Sequence, residues 1–231
     1  MLPLASKVIQ EFSELSSVLS FLKIKIPTKY GKLTTYFYAG GLSYAFNRPS
    51  EKTLLRYFKP QIGSTFVDVG ANIGWYTLIG SKMVGLTGKV VAIEPEPKNF
   101  VLLQKNVKDN NLTNAIMINA ALSDINGYEW LNLSSLPTEH SIMSTSSSHN
   151  IRVPSERLDD LLNKLKISHV DFLKIDVEDA EMRVLRGAKK TLTQGPQIII
   201  ECSNHENVQK YLGQYNYKTK RIDKFNSFCW R

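Results

Sequence analysis

The chain has 231 residues, 42% of them hydrophobic, enough for one sizeable core. No run approaches the ~18 apolar residues of a membrane span, and two cysteines without zinc-type Cys/His spacing exclude a disulfide scaffold or a structural zinc site. The net charge of +8 is peripheral: residues 1–62 hold nine basic and three acidic residues, 63–201 fourteen and sixteen, and 202–231 six and two.

The opening MLPLASKVIQEF has no basic leader ahead of an apolar core, so no export signal and a cytoplasmic location are expected. Cys202 and Cys229 sit in apolar runs and read as buried, reduced thiols. Residues 5–25 space Val8, Phe12, Leu15, Leu19 and Leu22 as an amphipathic helix, ended by Pro27. Its other face is rich in serine rather than lysine. That favours packing on the domain, or on a second copy in a homodimer, over peripheral contact with a membrane. Residues 33–46 predict a strand pair turning at Gly40-Gly41. Residues 1–48 therefore read as an N-terminal extension, a substrate cap or dimer contact, ahead of one domain over 49–231.

Within that domain, apolar runs at 64–69, 89–94, 115–120, 169–176 and 196–202 predict strands. Helices are expected over 74–84, 97–110, 179–192 and 204–213, with Pro97 at a first helical turn. This alternation implies an α/β fold with a mostly parallel sheet covered on both faces. Ligands in such folds bind at the carboxyl ends of the strands. Residues 134–150, seven of them serine, with His140 and His149, read as a loop inserted between the third and fourth strands, either a surface loop or a lid.

Two blocks carry chemistry. FVDVGANIG, residues 66–74, ends a strand in an acid and a glycine turn, and twenty positions past Gly74 comes Glu94 in VVAIEPEP. Such a turn lets a nucleoside-bearing cofactor approach the backbone, and Glu94 can accept hydrogen bonds from two ribose hydroxyls. The spacing Gly70-x-x-x-Gly74 differs from G-x-G-x-x-G, and Asp68 suits a cationic methionine end better than a pyrophosphate. S-adenosylmethionine is thus favoured over a dinucleotide. The second block, FLKIDVEDAEMRVLRGA (172–188), ends a strand at Asp176 and follows it with Glu178, Asp179 and Glu181. Acids at a helix start also arise from simple capping.

The order of FVDVGANIGWYT, AIEPEPKNF, NAALSD, LDDLL and FLKIDVEDAEMRVLRGA, over roughly residues 50–205, resembles the FkbM family of S-adenosylmethionine-dependent methyltransferases. The resemblance implies a Rossmann-like class I methyltransferase fold, a three-layer sandwich whose last strand is antiparallel. It also implies methyl transfer to oxygen, on polyketide hydroxyls, sugar hydroxyls or glycan carboxylates. Asp68, Gly70, Ala71, Asn72 and Gly74 match the cofactor loop, with Thr77 on the helix behind. Glu94, followed by Pro95, matches the ribose-binding acid, and Ala121, Leu122, Ser123 and Asp124 the turn bordering the adenine. Asp176 and Glu178 match the acids of a K-x-D-x-E-G-x-E signature, from which this chain departs at Asp179, where glycine is common.

Asp176, beside both ligands, is the expected general base, or the holder of a Mg2+ ion that acidifies the acceptor hydroxyl. Glu178, Glu201 and His205 are the reserve catalytic candidates. The expected acceptor is a sugar, glycolipid or other small molecule, with basic terminal segments suited to an anionic carrier. Three alternatives stay open: an RNA or other nucleic-acid methyltransferase, a dinucleotide oxidoreductase and a non-catalytic cofactor-binding module. The first lacks the N/D-P-P-Y/F block typical of amino-methylating enzymes, and the second the glycine spacing.

Overall fold

The computed structural model describes residues 22–36, 49–132 and 150–231. Its first element is an antiparallel hairpin of β1 (Lys23–Thr28) and β2 (Gly31–Tyr36). The expected strand pair thus lies earlier than 33–46, and its Gly40-Gly41 turn falls outside the described residues. Most of the expected 5–25 helix lies outside them too, and its last turn is strand instead. The cause is local: Lys23-Ile24-Lys25-Ile26 alternates with period two, and a two-stranded ribbon tolerates Pro27.

The chain continues through α1 (Pro49–Leu54), β3 (Thr65–Val69), α2 (Trp75–Val84), β4 (Lys89–Ile93), α3 (Pro97–Asp109) and β5 (Ala115–Ile118). Helix α3 starts where its sequence directs. Glu96 caps it by accepting from the Asn99 N–H at 2.6 Å, and Pro97 needs no donor at the first position. Next come β6 (Ala121–Leu122), β7 (Gly127–Asn132) and β8 (Asn150–Glu156), a second sheet in the order β6-β8-β7. This sheet replaces part of the expected insertion: Asn150 pairs with Asn132, and residues 133–149 lie outside the described set.

The last part comprises α4 (Leu158–Lys164), β9 (Phe172–Ile175), α5 (Glu181–Gly187), α6 (Lys189–Gln194), β10 (Gln197–Glu201), α7 (His205–Gly213), β11 (Lys218–Arg221) and β12 (Asn226–Trp230). The single helix expected over 179–192 is therefore two. At the break, a Cβ on Gly187 would lie 2.1 Å from the Ser123 carbonyl oxygen, so only glycine lets α5 end against the turn after β6.

The seven-stranded main sheet has the order β11-β12-β10-β9-β3-β4-β5. Strands β3, β4, β5, β9 and β10 are parallel, and β12 runs antiparallel to β10. One face packs Val67, Val91, Leu173 and Ile198 against Leu158, Val184, Leu192 and Leu212 of the later helices. The other packs Phe66, Val90, Phe172 and Ile199 against Phe58, Ile79 and Leu102, and fully buried Leu33 of the hairpin joins that cluster. These are the three expected layers. The strand order reverses between β3 and β9, the switch point at which open α/β sheets bind ligands.

Candidate active site

Strand register determines which side chains share the sheet's carboxyl edge. Asp68 stands opposite Ala92 on one side and Lys174 on the other, and Lys174 stands opposite Ile199. Side chains alternate along each strand, so Glu94, Asp176 and Glu201 are the next residues on that face. One alternation thus delivers four carboxyls and one ammonium to the reversal in strand order.

Asp68 is fully buried. Its Oδ2 accepts from the Thr77 hydroxyl at 2.7 Å, and its Oδ1 has no hydrogen-bond partner among the described residues. Burial pushes its carboxyl above the usual range, while the Lys174 charge and the Thr77 hydroxyl pull the other way. Thr77, on the helix behind the loop, therefore orients the acid.

The glycine loop is built as much by packing as by access. A Cβ on Gly70 (φ 77°) would lie 1.8 Å from the Asp176 carbonyl oxygen, so the loop rests on the chain leaving β9. Gly70 and Ala71 both donate their N–H to the Ile93 carbonyl, at 3.0 and 2.9 Å. Asn72, at φ 51°, donates its N–H to Glu94 Oε2 at 2.7 Å, and Gly74 (φ 92°) opens α2. The other Glu94 oxygen accepts from the Glu96 N–H at 2.9 Å. Glu94 is therefore a clamp on the loop, a role its sequence position did not reveal. Burial raises it to about 7 despite those two hydrogen bonds. Pro95 is half-buried, and its carbonyl accepts from Asn119, which also holds the Glu94 carbonyl at 2.8 Å.

Beyond β9, Asp176 Oδ2 accepts from Lys174 Nζ at 2.8 Å, and the Asp176 side chain is 33% exposed. The Asp176 charge and then burial push Glu201 up to about 8, against the pull of Lys174. Glu178 and Asp179 follow with φ of 34° and 67°, two successive left-handed residues without a glycine. The turn is held by Glu181, which accepts from the Asp179 N–H at 2.9 Å.

Other candidates have different surroundings. His205 bonds the Lys224 carbonyl through Nε2 at 2.9 Å and the Ser227 hydroxyl through Nδ1 at 2.8 Å. A carbonyl only accepts, so Nε2 carries a proton, and both nitrogens are committed to joining α7 to β12. Ala121, Leu122 and Ser123 are buried at the turn after β5. Asp124 is tied by Arg186 at 2.9 Å and Arg183 at 3.2 Å, which against burial hold it down at about 2. Among the described residues, no group of three or more His, Cys, Asp and Glu side chains could hold a metal ion. Lys174 also takes one oxygen of the proposed ligand Asp176, so the Mg2+ expectation finds no support among these residues.

Sequence reasoning gave Lys174 no role, although a lone lysine in the otherwise apolar FLKI strand is a visible signal.

A reversal in strand order flanked by acids, with the antiparallel strand inserted beside β10, defines the Rossmann-like fold of S-adenosylmethionine methyltransferases. The sequence profile of the Methyltransferase FkbM domain matches residues 68–224, and the chain belongs to that family. A relative from Beauveria bassiana (strain ARSEF 2860), "Methyltransferase 1", is 29% identical over 145 residues, covering 54% of this chain and 58% of that one. Among solved structures, Methyltransferase FkbM from Methylobacillus flagellatus KT superposes with a TM-score of 0.54 at 18% identity, over 80% of this chain and 47% of its own. Aeropyrum pernix fibrillarin, in complex with natively bound S-adenosyl-L-methionine, gives 0.54 at 14% identity, over 91% and 83%. The chain thus spans about half the length of the first two.

Proposed function

We propose that this chain transfers a methyl group from S-adenosylmethionine to an oxygen, hydroxyl or carboxylate, of a sugar, glycolipid or secondary metabolite. The observation that carries the reading is the buried Asp68 Oδ1, without a partner among the described residues, on the same sheet face as Glu94 and Asp176. A buried acceptor without a donor is costly, and a cationic donor would both bond it and offset the burial of its charge. The ammonium of a methionine end supplies one.

In this reading Glu94 accepts from the ribose hydroxyls through its remaining lone pairs while still holding Asn72. Gly70, Ala71, Asn72 and Gly74 shape the loop around the methionine end. Ala121, Leu122 and Ser123 border the base, and Asp124 braces them through the two arginines. The bound cofactor supplies an electrophilic methyl group with its own leaving group, so the protein's task is alignment and proton removal. Asp176 orients the acceptor oxygen: Lys174 holds Oδ2, and Oδ1 makes no hydrogen bond among the described residues. Glu201, beside Asp176 in register and raised to about 8, is suited to take the departing proton near neutral pH. Glu178 lines the same edge, and His205 receives no chemical role. Residues 1–48 and 134–150 are assigned to acceptor choice.

The test is incubation of purified protein with methyl-labelled S-adenosylmethionine and panels of sugars, glycolipids, hydroxylated metabolites and RNA. The reading predicts label on oxygen of a small molecule or glycan. Label on RNA alone would overturn it. With the acceptor found, Asp176→Asn should keep cofactor affinity within about threefold and lose roughly 10²-fold in turnover, the cost of a misplaced acceptor. Wild-type turnover in that variant would remove Asp176 from the mechanism.

A further inference from the structure

Lys174 is 3% exposed, in a strand whose other residues, Phe172, Leu173 and Ile175, are buried apolar side chains. Burying an ammonium there is costly unless opposite charge surrounds it. Its Nζ lies 2.8 Å from Asp176 Oδ2 and 4.6 Å from the centroid of the Tyr76 ring, whose face attracts a cation. Asp68 is its direct partner across the β3–β9 register. Burial works against its charge, but Asp176 and Asp68, with Glu201 beyond them, more than offset this and hold Lys174 above the usual lysine range. One ammonium, paired with Asp176, thus lies within the field of three carboxyls, and a cationic ligand would add to the single positive charge there.

We infer that Lys174 is a positioning residue: its ammonium, bonded to Asp176 beyond β9 and set opposite Asp68 of β3 in register, joins the cofactor side of the site to the acceptor side. The two sides take their meaning from the methyl-transfer reading above, on which this inference rests. Lys174 touches neither reactant and acts through the two acids. Removing it leaves buried Asp68 without the one positive charge that opposes its burial, which favours its protonated form further. Asp68 then loses its attraction for a cationic ligand, and Asp176 loses its anchor.

The test compares thermal unfolding of ligand-free wild type, Lys174→Met and the Asp68→Asn/Lys174→Met double variant from about pH 5 to about pH 9. Without the ammonium, which pulls the Asp68 carboxyl down, folded Asp68 holds its proton more tightly still than the unfolded chain does. Lys174→Met therefore loses stability relative to wild type as pH rises, and the gap in midpoint widens. Neutralising Asp68 narrows that gap at the alkaline end. Calorimetry with S-adenosylhomocysteine should find Lys174→Met about tenfold weaker than wild type at neutral pH.

A gap independent of pH means that Lys174 only fills space, and overturns the inference. So does a Lys174→Met protein unfolded at every pH and not rescued by Asp68→Asn. Unchanged S-adenosylhomocysteine affinity in folded Lys174→Met also contradicts it. The unfolding midpoints need no ligand. A wild type that fails to bind S-adenosylhomocysteine therefore overturns the methyl-transfer reading, while the pH dependence of the gap still decides the role of Lys174.

Discussion

Asp179 occupies a backbone conformation, φ 67°, that glycine adopts without penalty, and Glu178 before it has φ 34°. Its side chain recovers little, accepting only a long 3.4 Å hydrogen bond from Ser203 among the described residues. Asp179→Gly should therefore stabilise the protein by about 0.5–1 kcal/mol in urea unfolding. A loss of stability would show that the Asp179 carboxylate does more than occupy the turn. The departure from the glycine of the family signature was legible in sequence, but its conformational cost was not, because φ depends on how α5 docks. The acids at 68, 94, 176 and 201 were legible because each ends an apolar run. The Glu94 clamp and the Lys174 bridge were not. Both depend on which strands are neighbours, and local sequence does not encode strand order.

Among the elements, α3 joins the hairpin to the cofactor loop. Buried Asn106 accepts from the Thr34 N–H at 2.6 Å and donates to the carbonyls of Thr34 and Ile73 at 2.9 and 2.7 Å. Asn110 repeats the pattern on Lys32, accepting at 2.8 Å and donating at 2.7 Å. Asn106→Ala leaves three buried backbone groups unpaired and should cost about 2–4 kcal/mol. Because Ile73 belongs to the glycine loop, the variant should also bind S-adenosylhomocysteine more weakly. Stability lost without any change in affinity would separate the hairpin from the loop. Sequence periodicity located the parallel strands and α2, α3 and α7, since each strand is an apolar run and each of these helices follows one at a regular interval. It missed the β6-β8-β7 sheet, whose strands are short, polar on one side and interrupted by residues 133–149. It also fused α5 and α6, because no proline or turn cluster marks a break that Gly187 makes by close packing on Ser123.

For the whole molecule, the raised carboxyls dominate the response to pH. Burial lifts Glu94 to about 7, Asp176 and burial lift Glu201 to about 8, and burial raises Asp68 and Glu181 as well. Each holds its proton more tightly folded than unfolded. The stability it contributes is full below the ordinary carboxyl value of about 4 and is lost as pH rises through its folded value. Asp109 and Asp124 are lowered, by lysine and by arginine partners, so their contribution is present above about 4 and lost in stronger acid. The ligand-free protein should therefore melt highest between about pH 4 and about pH 6 and lower near pH 8. Stabilisation by S-adenosylhomocysteine should grow as pH rises through about 7, where Glu94 becomes a carboxylate. A melting midpoint that climbs steadily to pH 8 would contradict this charge assignment.

The central claim, that the sheet reversal holds an S-adenosylmethionine-type cofactor, is tested most directly by calorimetric titration of the purified protein with S-adenosylhomocysteine, with NAD as control. The account predicts micromolar binding of S-adenosylhomocysteine and none of NAD. Binding of NAD alone, or of neither ligand by well-folded protein, would contradict it.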